Sequence, residues 1–247
     1  MHARAYGRCD LVQKELDMTD PRHLLLVGTG PGLGAAIARR FAREGYRLTL
    51  VARSEEPIAT IAHELRAAGA DVAVVQADAG DPERLRAALS AMFAAPGAPG
   101  VVIYNAALMT FDDLLTVSSE QLADAYAVDV IGGVLTAQLA VPAMRAAGGG
   151  TLLFTGGAFA DALPETFATL SLGKVALRAA ATMLARQLRD DDIHAGSLTI
   201  LGQVAAGTPF DPDSIADAYW AICNERPDAW REEYRFEGAE EPAVSST

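Results

Sequence analysis

The sequence predicts a doubly wound α/β domain, with a parallel sheet of about seven strands and helices on both faces. Apolar strand-like runs alternate along the chain with longer helical patterns, which is βαβ order. Those runs are nearly continuous rather than alternating, as in strands buried on both faces. The first of them, Leu24 to Val27, enters a glycine turn that opens at once into an alanine-rich helical pattern over 35–43.

A chain of 247 residues with 51% hydrophobic content suits one domain with a large core, expected over 18–238. A formal charge of −12 argues against a nucleic-acid partner, which needs a basic face. No apolar run is expected to reach the ~18 residues that span a bilayer. Cys9 and Cys223 offer neither metal-ligand spacing nor a disulfide framework, which fits a reducing, cytoplasmic setting without a metal. Residues 1–17 lack the apolar core of a signal peptide, and Arg4, Arg8 and Lys14 balance Asp10, Glu15 and Asp17. They read as a disordered extension before a domain that begins at Met18, or else as an arm that packs on a partner subunit. Residues 239–247 read as a frayed tail.

The turn is Gly28-x-x-x-Gly32-x-Gly34. A buried strand, a glycine turn and a helix start are the parts of a dinucleotide site. Gly28 makes the tight turn, Gly32 admits a pyrophosphate close to the backbone, and Gly34 permits close helix–strand contact. The second strand, 46–52, ends at Arg53. An acidic residue at such a strand end takes a ribose 2′-hydroxyl, whereas an arginine accommodates a 2′-phosphate. NADP is therefore favoured over NAD.

A helix is expected over 57–68, closed by Gly69, with His63 on its exposed side. A third strand over 71–77 ends at Asp78, and Asp81-Pro82 starts the next helix as cap and first residue. The Pro/Gly-rich turn 95–100 precedes a fourth strand over 101–104, followed by Asn105-Ala106-Ala107. Ser118-x-x-Gln121 is a capping box for a long helix running towards Val141, where Pro142 is expected to kink or restart it. Gly148-Gly149-Gly150 ends that pattern before a fifth strand over 151–155. A loop over 156–166 leads to an alanine-rich helix over 171–189, and a sixth strand spans 194–200. Asp211-Pro212 caps a helix reaching about Asn224, and 234–236 reads as a short last strand.

This order of motifs resembles the short-chain dehydrogenase/reductase family over nearly all of residues 22–238. The marks are the glycine turn, Asp78, Tyr104-Asn105-Ala106-Ala107 in place of Asn-Asn-Ala-Gly, Pro142-x-Met144, and Lys174 before a long apolar helix pattern. The resemblance implies a Rossmann fold and a bound NADP. It puts Gly28, Gly30, Gly32, Leu33 and Gly34 at the pyrophosphate, Asp78, Ala79, Asn105 and Ala106 on the adenine side, and Lys174 on the ribose.

The family's proton chemistry uses an Asn in the central helix, a Ser after the fifth strand, and Tyr-x-x-x-Lys. Four residues before Lys174 stands Leu170, the Ser position falls on Gly157, and the Asn position falls on Asp129 in Asp129-Val130-Ile131-Gly132. Only Lys174 survives. Asp129 is a buried acid with a raised pKa or, the favoured reading, an ion-pair partner of Lys174. Asp161 and Glu165, on the loop where substrate would sit, are further acid/base candidates beside the bland reading of solvated carboxylates. Thr155 and Thr166 are weaker ones. Leu201-Gly202 replaces the family's Pro-Gly, and only 203–210 separate it from the next helix, so the expected lid is short and the site open.

Three function classes follow: an NADP-dependent oxidoreductase on a small-molecule substrate with a substituted or impaired proton donor; a non-redox isomerase, cyclase or dehydratase using Asp129, Asp161 or Glu165; and a non-catalytic nucleotide-binding protein. Alanine-rich stretches over 123–140 and 175–187 allow close helix pairing, and the resemblance implies a homodimer or homotetramer through them.

Overall fold

Three strand ends lie level at the heart of the sheet: Val27 pairs in register with Val51 on one side and Tyr104 on the other. Val27 and Tyr104 close β1 (Asp20–Val27) and β4 (Pro99–Tyr104), and Val51 stands one residue before the end of β2 (Arg47–Ala52). With β3 (Val72–Gln76), β5 (Gly150–Gly157), β6 (Ile193–Ile200) and β7 (Glu233–Phe236) they form one parallel sheet, ordered β3-β2-β1-β4-β5-β6-β7. The strand order reverses between β1 and β4, so the turns after their carboxyl ends diverge and leave a crevice. The computed structural model describes residues 19–239. The expected extension over 1–17, Met18, Cys9 and the tail beyond Ala239 lie outside the described residues.

Alternation along β1 divides the interior into two cores. Leu24 and Leu26 pack under α1 (Leu33–Arg43), α2 (Glu55–Ala67) and α8 (Pro212–Cys223). Leu25 and Val27 pack on the other face under α3 (Pro82–Phe93), α5 (Gly132–Ala147) and α7 (Ala168–Leu188). Asp81 caps α3 by accepting from the Arg84 N–H at 3.0 Å, and Asp211 caps α8 from Asp213 at 2.8 Å. Helix α2 starts before the expected Pro57, with Ser54 at the N-cap position; proline is tolerated in a first turn, where no N–H has an intrahelical acceptor.

The long central helix is interrupted, but not at Pro142. The Ser118–Gln121 capping box opens α4 (Ser119–Tyr126), a π turn follows over Ala127–Ile131, and α5 continues to Ala147 with Pro142 inside it. Pro142 and Gln138, whose carbonyl the proline leaves without its helical donor, are both exposed. At the π turn the Tyr104 hydroxyl donates to the partly buried Val128 carbonyl. The whole run over Ser119–Ala147 is 29 residues long and contains an 18-residue window with a mean hydropathy of 1.5. It is long and apolar enough by length and composition to span a membrane, where the sequence reading expected no such run; it packs as a core helix against β4, β5 and α3.

Two other departures concern the segment before α7. The expected loop over 156–166 contains one helical turn, α6 (Phe159–Ala162), ended by Leu163 in a left-handed conformation (φ 47°). Helix α7 starts three residues early because Asp112, from the β4–α4 connection, accepts from the Thr169 N–H at 3.0 Å and from its hydroxyl. That cap comes from 57 residues away in sequence.

Candidate functional site

A groove of about 410 Å³ runs along the carboxyl edge of β1, β2 and β4. Its floor is the glycine turn. Gly28 has φ 92°, and a Cβ there would meet the Ala106 nitrogen at 2.3 Å, so turn and far wall touch and only glycine fits. A Cβ on Gly34 would stand 2.9 Å from Thr29 Cα, which is the close approach of helix to turn. Gly30 and Gly32 have nothing within 4 Å of where a Cβ would be, and no side chain caps α1. The helix start therefore presents bare backbone N–H groups, a ready site for an anion.

Arg53 and Asp78 are the charged residues of the lining. Arg53 is exposed beside Ser54 and Pro57, its carbonyl held by the Gln76 amide at 3.2 Å. Asp78 is fixed by the Gly80 N–H at 2.8 Å, next to Ala79. On the opposite wall, Asn105 donates from Nδ2 to the Gly28 carbonyl at 2.8 Å, and Ala106, Ala107 and Leu108 continue the lining. The groove thus gathers Gly28, Gly30, Leu33, Gly34, Arg53, Asp78, Ala79, Asn105 and Ala106 in one place. Leu108 belongs with them and was missed in the sequence, although it directly follows the Asn-Ala-Ala signal.

The residues expected to carry chemistry do not line the groove. Lys174 is buried and donates from Nζ to the Thr155 carbonyl at 2.8 Å; burial lowers its pKa, and the charge of Asp129 opposes that shift. Asp129 is fully buried too, with Oδ1 accepting from the Leu108 N–H at 2.8 Å and Oδ2 without a partner. The expected Asp129–Lys174 ion pair is therefore absent among the described residues: each group turns to backbone instead. Burial raises the Asp129 pKa to about 6, against the pull of the Leu108 hydrogen bond and the Lys174 charge.

Leu170 lies in the first turn of α7 at 1% exposure. Gly157 is the last residue of β5, paired with Ile200, and a Cβ there would meet only Phe159, at 3.9 Å. Asp161 is held between Arg178 at 2.5 Å and Arg235 at 2.7 Å, which keeps its carboxyl below the usual range and unsuited to carry a proton near neutrality. Glu165 is exposed on the α6–α7 loop, and the Thr166 carbonyl accepts from the Asp112 N–H at 3.2 Å. His63 is exposed on α2. Between β6 and α8 the described residues form no helix, and Phe210 packs on Gly202.

A doubly wound parallel sheet with a glycine-floored crevice at its switch point defines a broad class of nucleotide-binding folds. A family model for short chain dehydrogenases matches residues 22–206, and the chain belongs to that family. An uncharacterized oxidoreductase of Mycobacterium tuberculosis is 32% identical over 190 residues, 74% of this chain and 72% of the relative. A probable galactose dehydrogenase of Rhizobium meliloti is 30% identical over 186 residues, 74% of this chain and 71% of the relative. Among solved structures, a short-chain dehydrogenase from Rhodopseudomonas palustris superposes with a TM-score of 0.77 at 27% identity, covering 86% of this chain and 96% of that one. The L-sorbose reductase of Gluconobacter frateurii, complexed with NADPH and L-sorbose, has the same fold at a TM-score of 0.81 and 21% identity, covering 91% and 98%.

Proposed function

We propose that the chain binds NADP in the groove and acts as an oxidoreductase on a small carbonyl or hydroxyl compound, at a site lacking the family's proton donor. The observation that supports this reading is the groove that gathers the glycine turn, Arg53, Asp78 and Asn105, in a chain whose residue four before Lys174 is the buried Leu170. The bare start of α1 receives the pyrophosphate, Arg53 the 2′-phosphate, Asp78 and Asn105 the adenosine side, and Lys174 backs the wall through Thr155. NADPH-bound and NADP-bound relatives of the same fold, the L-sorbose reductase and a metagenomic short-chain oxidoreductase, support the choice of cofactor.

The bound nicotinamide would supply hydride. What the chain omits is the proton and the oxyanion donor. A positioned general acid is worth about 10²–10⁴ in rate, and one hydrogen bond to the developing oxyanion about 10²–10³. Such losses are not additive, yet losing both leaves little catalysis of an unactivated ketone. Substrates whose oxygen needs no protein proton fit this site. The same loss also suits a nucleotide-binding protein without turnover, and the two readings part on whether any activated carbonyl is reduced.

Calorimetric titration tests the shared half. Saturable binding of NADPH, tighter than NADH, is expected; no binding of either overturns the cofactor assignment.

A further inference from the structure

Tyr219, in the middle of α8, is fully buried, and its hydroxyl lies 2.6 Å from Thr155 Oγ1 on β5. Thr155 Oγ1 lies in turn 2.9 Å from Asn105 Oδ1, and Asn105 Nδ2 donates to the Gly28 carbonyl at 2.8 Å. The direction of this chain is forced. An amide oxygen only accepts, so Thr155 uses its single proton on Asn105. The contact with Tyr219 must then be donated by the phenol, which burial keeps protonated by pushing its pKa up. Turning the Asn105 amide over would set its oxygen against the Gly28 carbonyl, two acceptors face to face, so the network also settles the amide orientation. Thr155 is held from the other side of the sheet as well, through its carbonyl and Lys174 Nζ at 2.8 Å.

The far end of this chain is the groove itself. Gly28 is the left-handed turn, and it lies so close to the Ala106 backbone that a side chain has no room between them. We infer that Tyr219 is a positioning residue for the nucleotide: through Thr155 it orients the Asn105 amide, which locks the glycine turn to the opposite wall. Tyr219 does not line the groove. The inference rests on the reading that the groove takes NADP.

The test is the Kd for NADPH, by calorimetry, of the full-length protein and of Tyr219→Phe, Thr155→Val and the double variant, with thermal melts alongside. Each single variant is expected to raise Kd about three- to tenfold, the worth of one buried hydrogen bond. The double variant is expected to be no weaker than the weaker single, because both break one chain. Thr155→Ser, which keeps the hydroxyl, is expected to restore what Thr155→Val loses. A Tyr219→Phe protein with a lowered Tm and an unchanged Kd would reduce Tyr219 to core packing and overturn the inference, as would additive losses. If Tyr219→Phe does not fold, equal Kd values for Thr155→Val and Thr155→Ser overturn it. An unmodified protein that binds no NADPH overturns the cofactor reading and this inference together; normal binding with unmoved variants overturns the relay alone.

Discussion

Asp129 lies directly against Gly173: a Cβ on that glycine would stand 2.6 Å from the Asp129 Cβ and 2.7 Å from Oδ2. The carboxyl is thus walled in by the residue next to Lys174 rather than paired with Lys174 itself. A buried carboxylate oxygen without a donor is costly when ionised. That cost is relieved when the acid takes up a proton.

The consequence is a pH-dependent stability difference. With the folded pKa raised from 3.8 to about 6, the protonated acid favours the fold, and its contribution is lost as pH rises through about 6. His194, stacked on Trp230 and lowered by burial from 6.5 to about 4, works the other way: its contribution is lost as pH falls through about 4. The two offset each other in the parent, so the difference between parent and Asp129→Asn isolates the acid. Urea unfolding is expected to show the variant equal to the parent near pH 4 and more stable at pH 7 by roughly 1–3 kcal/mol. A variant less stable than the parent at pH 7 would mean that ionised Asp129 is well satisfied.

Arg53 should set the cofactor preference. A guanidinium can bind a 2′-phosphate bidentately, and the other charged group of the groove lining, Asp78, repels it. Arg53→Ala is expected to weaken NADPH about tenfold or more while leaving NADH within about twofold. Equal affinities for the two cofactors in the parent would remove this role.

The π turn should depend on Tyr104 and Gly132 together. A Cβ on Gly132 would fall 2.3 Å from the Tyr104 hydroxyl oxygen and 2.7 Å from the Ala79 carbonyl. Gly132→Ala is expected to cost about 1–3 kcal/mol from overpacking, and Tyr104→Phe a similar amount from the unpaired Val128 carbonyl. In the Tyr104→Phe background the alanine should cost less, because one of its two clashes is gone. Strict additivity in denaturant unfolding would contradict the geometry.

Association should run through the long central run from α4 into α5 and through α7. Leu122, Tyr126 and Ile131 on the first run and Leu172, Val175 and Met183 on the second are exposed apolar side chains. Light scattering at micromolar concentration is expected to show a dimer or tetramer, and Leu172→Asp to shift it towards monomer. A monomeric parent would count against pairing.

The sheet and its crevice were legible because local signals and global topology agree. Leu24 to Val27 run straight into Gly28, and each later strand ends in its own turn or cap. The groove residues follow strand ends, so Arg53 could be placed from its strand end, and Asp78 and Asn105 from the family resemblance that the order of motifs carries. What the sequence hid depends on distant partners. Nothing near Thr169 announces that Asp112 will cap its helix. Pro142 looked like the break, yet the helix deforms where Tyr104, from another strand, can reach the Val128 carbonyl. The Asp129–Lys174 pair looked natural by charge, but the Leu108 N–H and the Thr155 carbonyl satisfy those groups instead. Tyr219 carries no local signal at all; only folding places its hydroxyl on Thr155.

Leu170 and Gly157 are expected to leave the site without the family's proton donor and oxyanion partner. The most direct measurement follows NADPH absorbance with the unmodified protein against a panel of ordinary ketones and aldehydes. Turnover near the background rate is expected alongside measurable NADPH binding. Leu170→Tyr with Gly157→Ser is the matching gain-of-function arm, since Gly157 has room for a side chain; reductase activity should rise there. Turnover of ~1 s⁻¹ or more by the unmodified protein, within the ordinary enzyme range, would show that another group delivers the proton and would contradict the account.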